Sequence, residues 1–168
     1  KYPLHNTAML TAWTGSTVLA LGGDLNDSMV VSALARYDVA SDTWTYGQSP
    51  PGFVSSRSPS AWTGTELLVW PSSYGTDVLA PSAYDPATDS WRTLATPPIQ
   101  PRELAASVWT GSSWIIWGGS NGDDDFADGA TYDPATDTWT RLPVSPLSPR
   151  WTVGVWTGTE MVVLAGAS

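Results

Sequence analysis

Tyr132-Asp133-Pro134-Ala135-Thr136-Asp137-Thr138-Trp139 decides the fold, because it returns almost unchanged as Tyr84-Asp85-Pro86-Ala87-Thr88-Asp89-Ser90-Trp91 and as Tyr37-Asp38-Val39-Ala40-Ser41-Asp42-Thr43-Trp44. The spacings are 47 and 48 residues. A second motif keeps step with it: Ala12-Trp13-Thr14-Gly15, Ala61-Trp62-Thr63-Gly64, Val108-Trp109-Thr110-Gly111 and Val155-Trp156-Thr157-Gly158, with tryptophans 49, 47 and 47 residues apart. Two motifs repeating together at this period define a structural unit of 40 to 50 residues, each unit unable to bury its apolar faces without a neighbour.

Each period reads as four strands. Strand a ends at Trp-Thr-Gly, where glycine permits the positive φ of a tight hairpin. Strand b follows as a continuous apolar run (Val18 to Leu21, Leu67 to Trp70, Trp114 to Trp117, Met161 to Leu164), the pattern of a strand buried on both faces. Strand c carries the tyrosine, and the Asp-Pro-Ala-Thr-Asp turn leads into strand d at the tryptophan. Aspartate accepts backbone hydrogen bonds in such a turn and proline presets the next φ. The reading is an all-β propeller of four-stranded antiparallel blades: blade 1 at about 5–50, blade 2 at about 57–97, blade 3 at about 102–145, and half of a fourth at about 150–168. In blade 1 the strands are expected at 7–13, 17–21, 33–38 and 43–46, with no helix longer than two turns.

Composition agrees. With 11 Trp, 15 Gly and 14 Pro but only 14 % charged residues among 168, the chain suits short strands and tight turns better than long charged helices. A net charge of -9 opposes polyphosphate, which argues against nucleic acid as a partner. No apolar run approaches the roughly 20 residues that span a bilayer, so direct membrane insertion is not expected. The absence of cysteine removes disulfides, thiolate nucleophiles and zinc-thiolate sites. Few lysines, many Thr, Ser and Trp, and a start at Lys1 point to an extracellular or periplasmic location.

A di-glycine closing strand b (Gly22-Gly23, Gly118-Gly119), then Tyr-Asp, then Trp, at this period, resembles the kelch repeat, and the Trp-Thr-Gly and Asp-Pro-Ala-Thr-Asp wording resembles its bacterial branch. Blade 2 departs from the pattern with Pro71-Ser72 in place of the di-glycine. The resemblance implies a six- or seven-bladed ring, so further strands, from more sequence or another subunit, are expected to close it. A self-complementing pair of copies does not, because both would contribute a and b strands where c and d are needed. Kelch propellers serve many functions, and function must be argued from a site.

The a-b and c-d turns are nearly identical between repeats, whereas the b-c and d-a connections differ in length and chemistry. Binding residues are expected on the variable face. Arg57, Arg102 and Arg150 each stand just ahead of strand a, with His5 near that place in blade 1, and together they form a candidate basic ring at the channel mouth. In the kelch substrate adaptors that this arrangement resembles, arginines hold acidic peptide side chains, as the planar guanidinium suits. The competing reading is that each arginine pairs locally and stiffens a blade junction. Trp151, out of register beside Arg150, is the candidate aromatic ligand contact. The loop 121–129 alternates Asn121, Asp123 and Asp125 as calcium ligands do, but lacks the closing bidentate glutamate, and a solvated acidic loop competes with a calcium site. The periodic tryptophans are expected in blade-to-blade packing and the paired aspartates in turns.

The expected function is a binding or scaffold propeller that recognises a protein, a peptide or an acidic ligand on the b-c and d-a face. The alternative is an enzyme of sialidase or lyase type acting on an acidic sugar, with its remaining site residues outside this chain. His5 is the only histidine, which leaves triad or histidine-metal chemistry thinly supported. Copper radical oxidases share the scaffold but need a Tyr-Cys cross-link that a cysteine-free chain cannot form. The sialidase turn carries a glycine that Asp-Pro-Ala-Thr-Asp-Thr-Trp lacks.

Overall fold

The computed structural model describes residues 5–24, 33–71, 79–148 and 151–165. Among them are fourteen β-strands and no helix. Strands β1 (His5–Trp13), β2 (Thr17–Asp24), β3 (Ala33–Asp38) and β4 (Thr43–Gly47) form one antiparallel meander. β5 (Ser60–Trp62), β6 (Leu67–Val69), β7 (Ser82–Asp85) and β8 (Ser90–Thr93) form the second. β9 (Ala106–Trp109), β10 (Trp114–Trp117), β11 (Gly129–Asp133) and β12 (Thr138–Arg141) form the third. β13 (Thr152–Trp156) and β14 (Met161–Ala165) pair as a half-blade. The described residues thus form a run of three propeller blades and half of a fourth, and among them no ring is closed.

Local chemistry builds each hairpin the same way. The glycines of the four Trp-Thr-Gly turns, Gly15, Gly64, Gly111 and Gly158, hold φ between 101° and 106°, a region closed to most side chains. The threonine before each glycine accepts on Oγ1 the N-H three residues on, from Thr17 (3.0 Å), Glu66 (2.9 Å), Ser113 (2.9 Å) and Glu160 (3.1 Å). At the c-d turns the first aspartate closes an Asx-type turn: Asp38 accepts Ser41 N-H at 2.7 Å, Asp85 accepts Ala87 at 2.8 Å and Asp133 accepts Ala135 at 2.9 Å.

Two apolar layers hold the blades together. Between blades 1 and 2 lie Leu10, Leu19, Leu21, Leu34, Leu67, Val69 and Tyr84; between blades 2 and 3 lie Leu68, Trp70, Trp114, Ile116 and Tyr132. Alternate residues of one b strand enter opposite layers, so Leu67 and Val69 face back while Leu68 and Trp70 face forward. That period of two explains why an unbroken apolar run is needed. Each fully buried leucine contributes roughly 2 kcal/mol of transfer free energy.

Trp62, Trp91, Trp109 and Trp139 pack against the layers between blades, as expected, but they are not the most deeply buried tryptophans. The wholly buried ones are Trp70, Trp114 and Trp117, all on or directly after b strands. The periodic Trp62, Trp109 and Trp139 are half-buried at the rims of the layers, and Trp13 is more exposed still. Trp139 still packs between blades, with ring centroids 5.8 Å from Trp70 and 5.6 Å from Trp114. Its indole N-H donates to the Ala95 carbonyl at 2.9 Å, so the polar end of the ring is satisfied where it sits.

Candidate functional site

The a-b and c-d turns lie on one face of the blades, and the b-c and d-a connections lie on the other. On that second face Arg57, in the connection from β4 to β5, meets the connection from β8 to β9 and the loop after β10. Arg57, Pro101, Arg102, Glu103 and the Ser120–Gly122 segment line a cavity of about 280 Å³. A neighbouring hollow of about 300 Å³ follows the inner strands, walled by Ser56 to Ser60, by Leu104, Ala105 and Ser107, and by Thr152 to Gly154.

The two described arginines of the expected ring have opposite fates. Arg57 precedes Trp62 by five residues, whereas Arg102 precedes Trp109 by seven, so they are not in register. Arg57 is exposed, and among the described residues its guanidinium has no hydrogen-bond or ion-pair partner. Only its backbone is held: its N-H donates to Ser55 Oγ at 3.1 Å, and its carbonyl accepts Leu104 N-H at 2.9 Å.

Arg102 is 2 % exposed. Its Nε donates to Gln100 O (2.8 Å), and Nη1 to Gly118 O (3.1 Å), to Asp128 O (3.2 Å) and to Asp128 Oδ1 (2.8 Å). The guanidinium carbon stands 4.3 Å from the centre of the Phe126 ring, a cation-π contact. Burial pulls the Arg102 pKa down and the bonded Asp128 opposes that pull, yet an arginine stays charged at any physiological pH. Most of this side chain therefore locks the b-c loop of blade 3 onto the blade 2 to blade 3 connection, as the local-pairing reading held. Its Nη2 is buried without a partner among the described residues. Such a nitrogen costs free energy until an acceptor reaches it.

Leu104 carries the backbone strain of the site. Its φ is +56°, rare for a bulky residue. The conformation is held from both sides, since its N-H goes to Arg57 O of blade 2 and its carbonyl accepts Thr152 N-H of blade 4 at 3.0 Å. Blade 3 also needs Gly119 at φ +88°, because a side chain there would strike the Glu103 carbonyl. The Glu103 and Ser120 backbones bond reciprocally at 2.7 and 2.9 Å, fixing that wall of the cavity.

The acidic loop is organised by its own hydrogen bonds. Asn121 Oδ1 accepts the N-H groups of Asp123 (3.0 Å) and Asp124 (2.7 Å), and Asp125 Oδ1 accepts the Trp151 indole N-H at 3.0 Å. Asn121, Asp123 and Asp125 form a turn and a tether, and among the described residues no three His, Cys, Asp or Glu side chains converge to hold a metal ion. Trp151 is 58 % exposed, and its ring is oriented by that bond to Asp125. Arg150 and the side chain of His5 lie outside the described residues; His5 opens β1. Sequence reasoning missed the partners that distinguish the arginines, Asp128 and Phe126, and it missed Leu104, whose strain has no signal in composition or period.

No protein-family model and no curated protein sequence matches the chain. Among solved structures it is similar to that of YjhT, with a TM-score of 0.74 over 96 % of this chain at 19 % identity. The chain spans 58 % of the length of YjhT. At that identity the likeness shows the fold alone, which is β-propeller-like.

Proposed function

We propose that the chain is part of a kelch-type propeller that binds an acidic ligand, a carboxylate presented by a peptide or a sugar, on the face of the b-c and d-a connections. One observation carries this reading: the Arg57 guanidinium is exposed and without a partner among the described residues, at a cavity whose wall includes Arg102, itself with one nitrogen lacking an acceptor. Glu103 lies in the same wall, so the cavity is not a generic cationic surface. A ligand that offers a carboxylate to Arg57 and a hydroxyl or amide to Glu103 fits best, as charge-assisted bonds are the strongest available there.

The test is a calorimetric titration of the intact chain with an acidic peptide and with an acidic sugar, at low and high salt. Arg57→Ala is expected to weaken binding by about tenfold or more, the ordinary worth of a charge-assisted bond, and to leave the melting temperature unchanged. Added salt is expected to weaken binding to the parent chain. Affinity that is indifferent to Arg57→Ala overturns the reading.

A further inference from the structure

On the face of the a-b and c-d turns, a cavity of about 370 Å³ lies at the junction of blades 1 and 2, lined chiefly by Thr17, Arg36, Asp38 and Thr45 of blade 1 and by Pro86 and Ala87 of blade 2. Arg36 is half-buried there and weakly held. Its Nη1 reaches Pro86 O and its Nη2 reaches Tyr46 O, both at 3.5 Å, and Nη2 stands 3.7 Å from Asp89 Oδ2. Well-formed N-H···O bonds lie near 2.9 Å. Asp89 is also engaged elsewhere, since its Oδ1 accepts Gln48 N-H at 2.9 Å and Tyr84 Oη-H at 2.7 Å and so clamps blade 2 to blade 1. Asp137 clamps blade 3 to blade 2 in the same way, through Ala95 N-H at 3.0 Å and Tyr132 Oη-H at 2.7 Å. The Arg36 guanidinium thus lines the cavity without a short bond to any acceptor among the described residues.

The next junction shows what such a guanidinium takes. By register, Thr17, Arg36 and Thr45 correspond to Glu66, Ala83 and Arg92 in blade 2 and to Ser113, Thr131 and Thr140 in blade 3. In blade 2 the Glu66 carboxylate accepts two bonds from Arg92, Nε to Oε1 at 2.9 Å and Nη2 to Oε2 at 2.8 Å, while Arg92 Nη1 reaches Tyr132 Oη of blade 3 at 3.4 Å. Arg36 from strand c and Arg92 from strand d therefore bring their guanidiniums to the tyrosine-aspartate pair of the following blade. Blade 3 has neither charge. Blade 1 keeps the cation and puts the short, uncharged Thr17 where the anion stands. The turn aspartate does not bar a carboxylate from that place, because Asp85 stands beside Glu66 in blade 2 as Asp38 stands beside Thr17 in blade 1.

We propose that this cavity is a second binding site, which takes a carboxylate from outside the chain, a free alkyl carboxylate or a glutamate side chain of a peptide, and seats it on Arg36 as Glu66 is seated on Arg92. The planar guanidinium fork suits that group, and Thr17 and Thr45 bring hydroxyl donors to the same space. The site lies on the opposite face of the blades from the Arg57 cavity and stands independently of it. It is set by three strand positions, so the near-identity of the turns around it conceals it.

The experiment is an NMR titration of the full chain at low salt, where exposed charges are least screened, with propionate and with glutamate capped at both ends. Propionamide and capped glutamine are the uncharged controls. The readout is the shift of the Thr17 and Ala87 amides and of Arg36 Nε-H. Both acids are expected to give saturable shifts and both amides none. Arg36→Gln, read at the two amides, is expected to weaken binding about tenfold or more, the worth of a charge-assisted bond. Thr17→Glu is expected to fill the site from within and abolish binding, and the turn tolerates it, since Glu66 and Glu160 hold that position in blades 2 and 4. Thr17→Gln, equal in size but uncharged, is expected to weaken binding less, and Arg57→Ala to leave it unchanged. Capped glutamate bound about tenfold more tightly than propionate assigns the site to a peptide side chain, and equal or weaker binding assigns it to a free carboxylate. Shifts that do not saturate with either acid, that the amides reproduce, or that persist in Thr17→Glu overturn the proposal.

Discussion

The layer between blades 2 and 3 and the outer face of the half-blade use the same strand positions and meet opposite surroundings. Leu68 and Trp70 of β6 and its end are buried against Trp114 and Ile116. Val162 and Leu164 of β14, their equivalents, are 42 % and 56 % exposed, and they pair across the hairpin with Val155 and Val153, which are exposed as well. One sequence pattern yields a core where a following blade exists and an apolar patch where none is described. Burial here is a property of the junction, not of the strand, as expected for an array in which each unit contacts only its neighbours.

The comparison is sharpened most by removing the centre of the buried layer. Trp114 is fully buried and its indole donates to Ser107 Oγ at 2.8 Å, so Trp114→Ala is expected to cost about 3 to 5 kcal/mol, measured by denaturant unfolding. The half-buried Trp109, picked out by its periodicity, is expected to cost less when changed in the same way. If the two variants unfold alike, the division into layer and rim tryptophans is wrong.

Arg102→Ala is expected to cost about 2 kcal/mol, because four hydrogen bonds and the Phe126 contact are lost while Asp128, partly solvated, keeps Arg141 Nη1 at 3.3 Å. Thermal melts beside those of Arg57→Ala check this. A stable Arg102→Ala chain with weakened ligand binding would move Arg102 from scaffold to site.

Acid is expected to loosen the clamped junctions next. The Gln48 N-H and the Tyr84 hydroxyl hold Asp89 below the usual carboxylate range, and the Ala95 N-H and the Tyr132 hydroxyl do the same to Asp137. A carboxylate whose folded pKa is depressed gives stability that is complete above its unfolded value, near 3.8, and that fades as pH falls below it. Melting temperature should drop between pH 4 and pH 2 or so by an amount that Asp89→Gly and Asp137→Gly reduce. An unchanged acid limb in both variants would show that other carboxylates govern it.

The smallest effect belongs to the exposed patch. Leu164→Ser is expected to change stability by no more than about 0.5 kcal/mol, as surface substitutions do, and to raise the concentration at which the chain aggregates, since apolar patches and free strand edges promote association. Light scattering checks it. A loss of stability comparable to that of Trp114→Ala would mean that this face is covered.

The repeat alone determined the strand order, the turn glycines and the apolar b strands, because these depend on local geometry that each period must satisfy for itself. Blade 1 shows it: strands expected at 17–21 and 33–38 form at Thr17–Asp24 and Ala33–Asp38. The same reading placed Arg57 and Arg102 in one ring. Only the tertiary structure separated them, because two residues of offset in an irregular connection turn one side chain outward and carry the other beneath Asp128 and Phe126. It also decided which tryptophans are core, since a strand pattern says that both faces are apolar but not whether a neighbour lies against each. Period fixes what a chain does to itself over four or five residues; burial, charge pairing and the strain at Leu104 depend on partners 16 to 48 residues away, which no local pattern encodes.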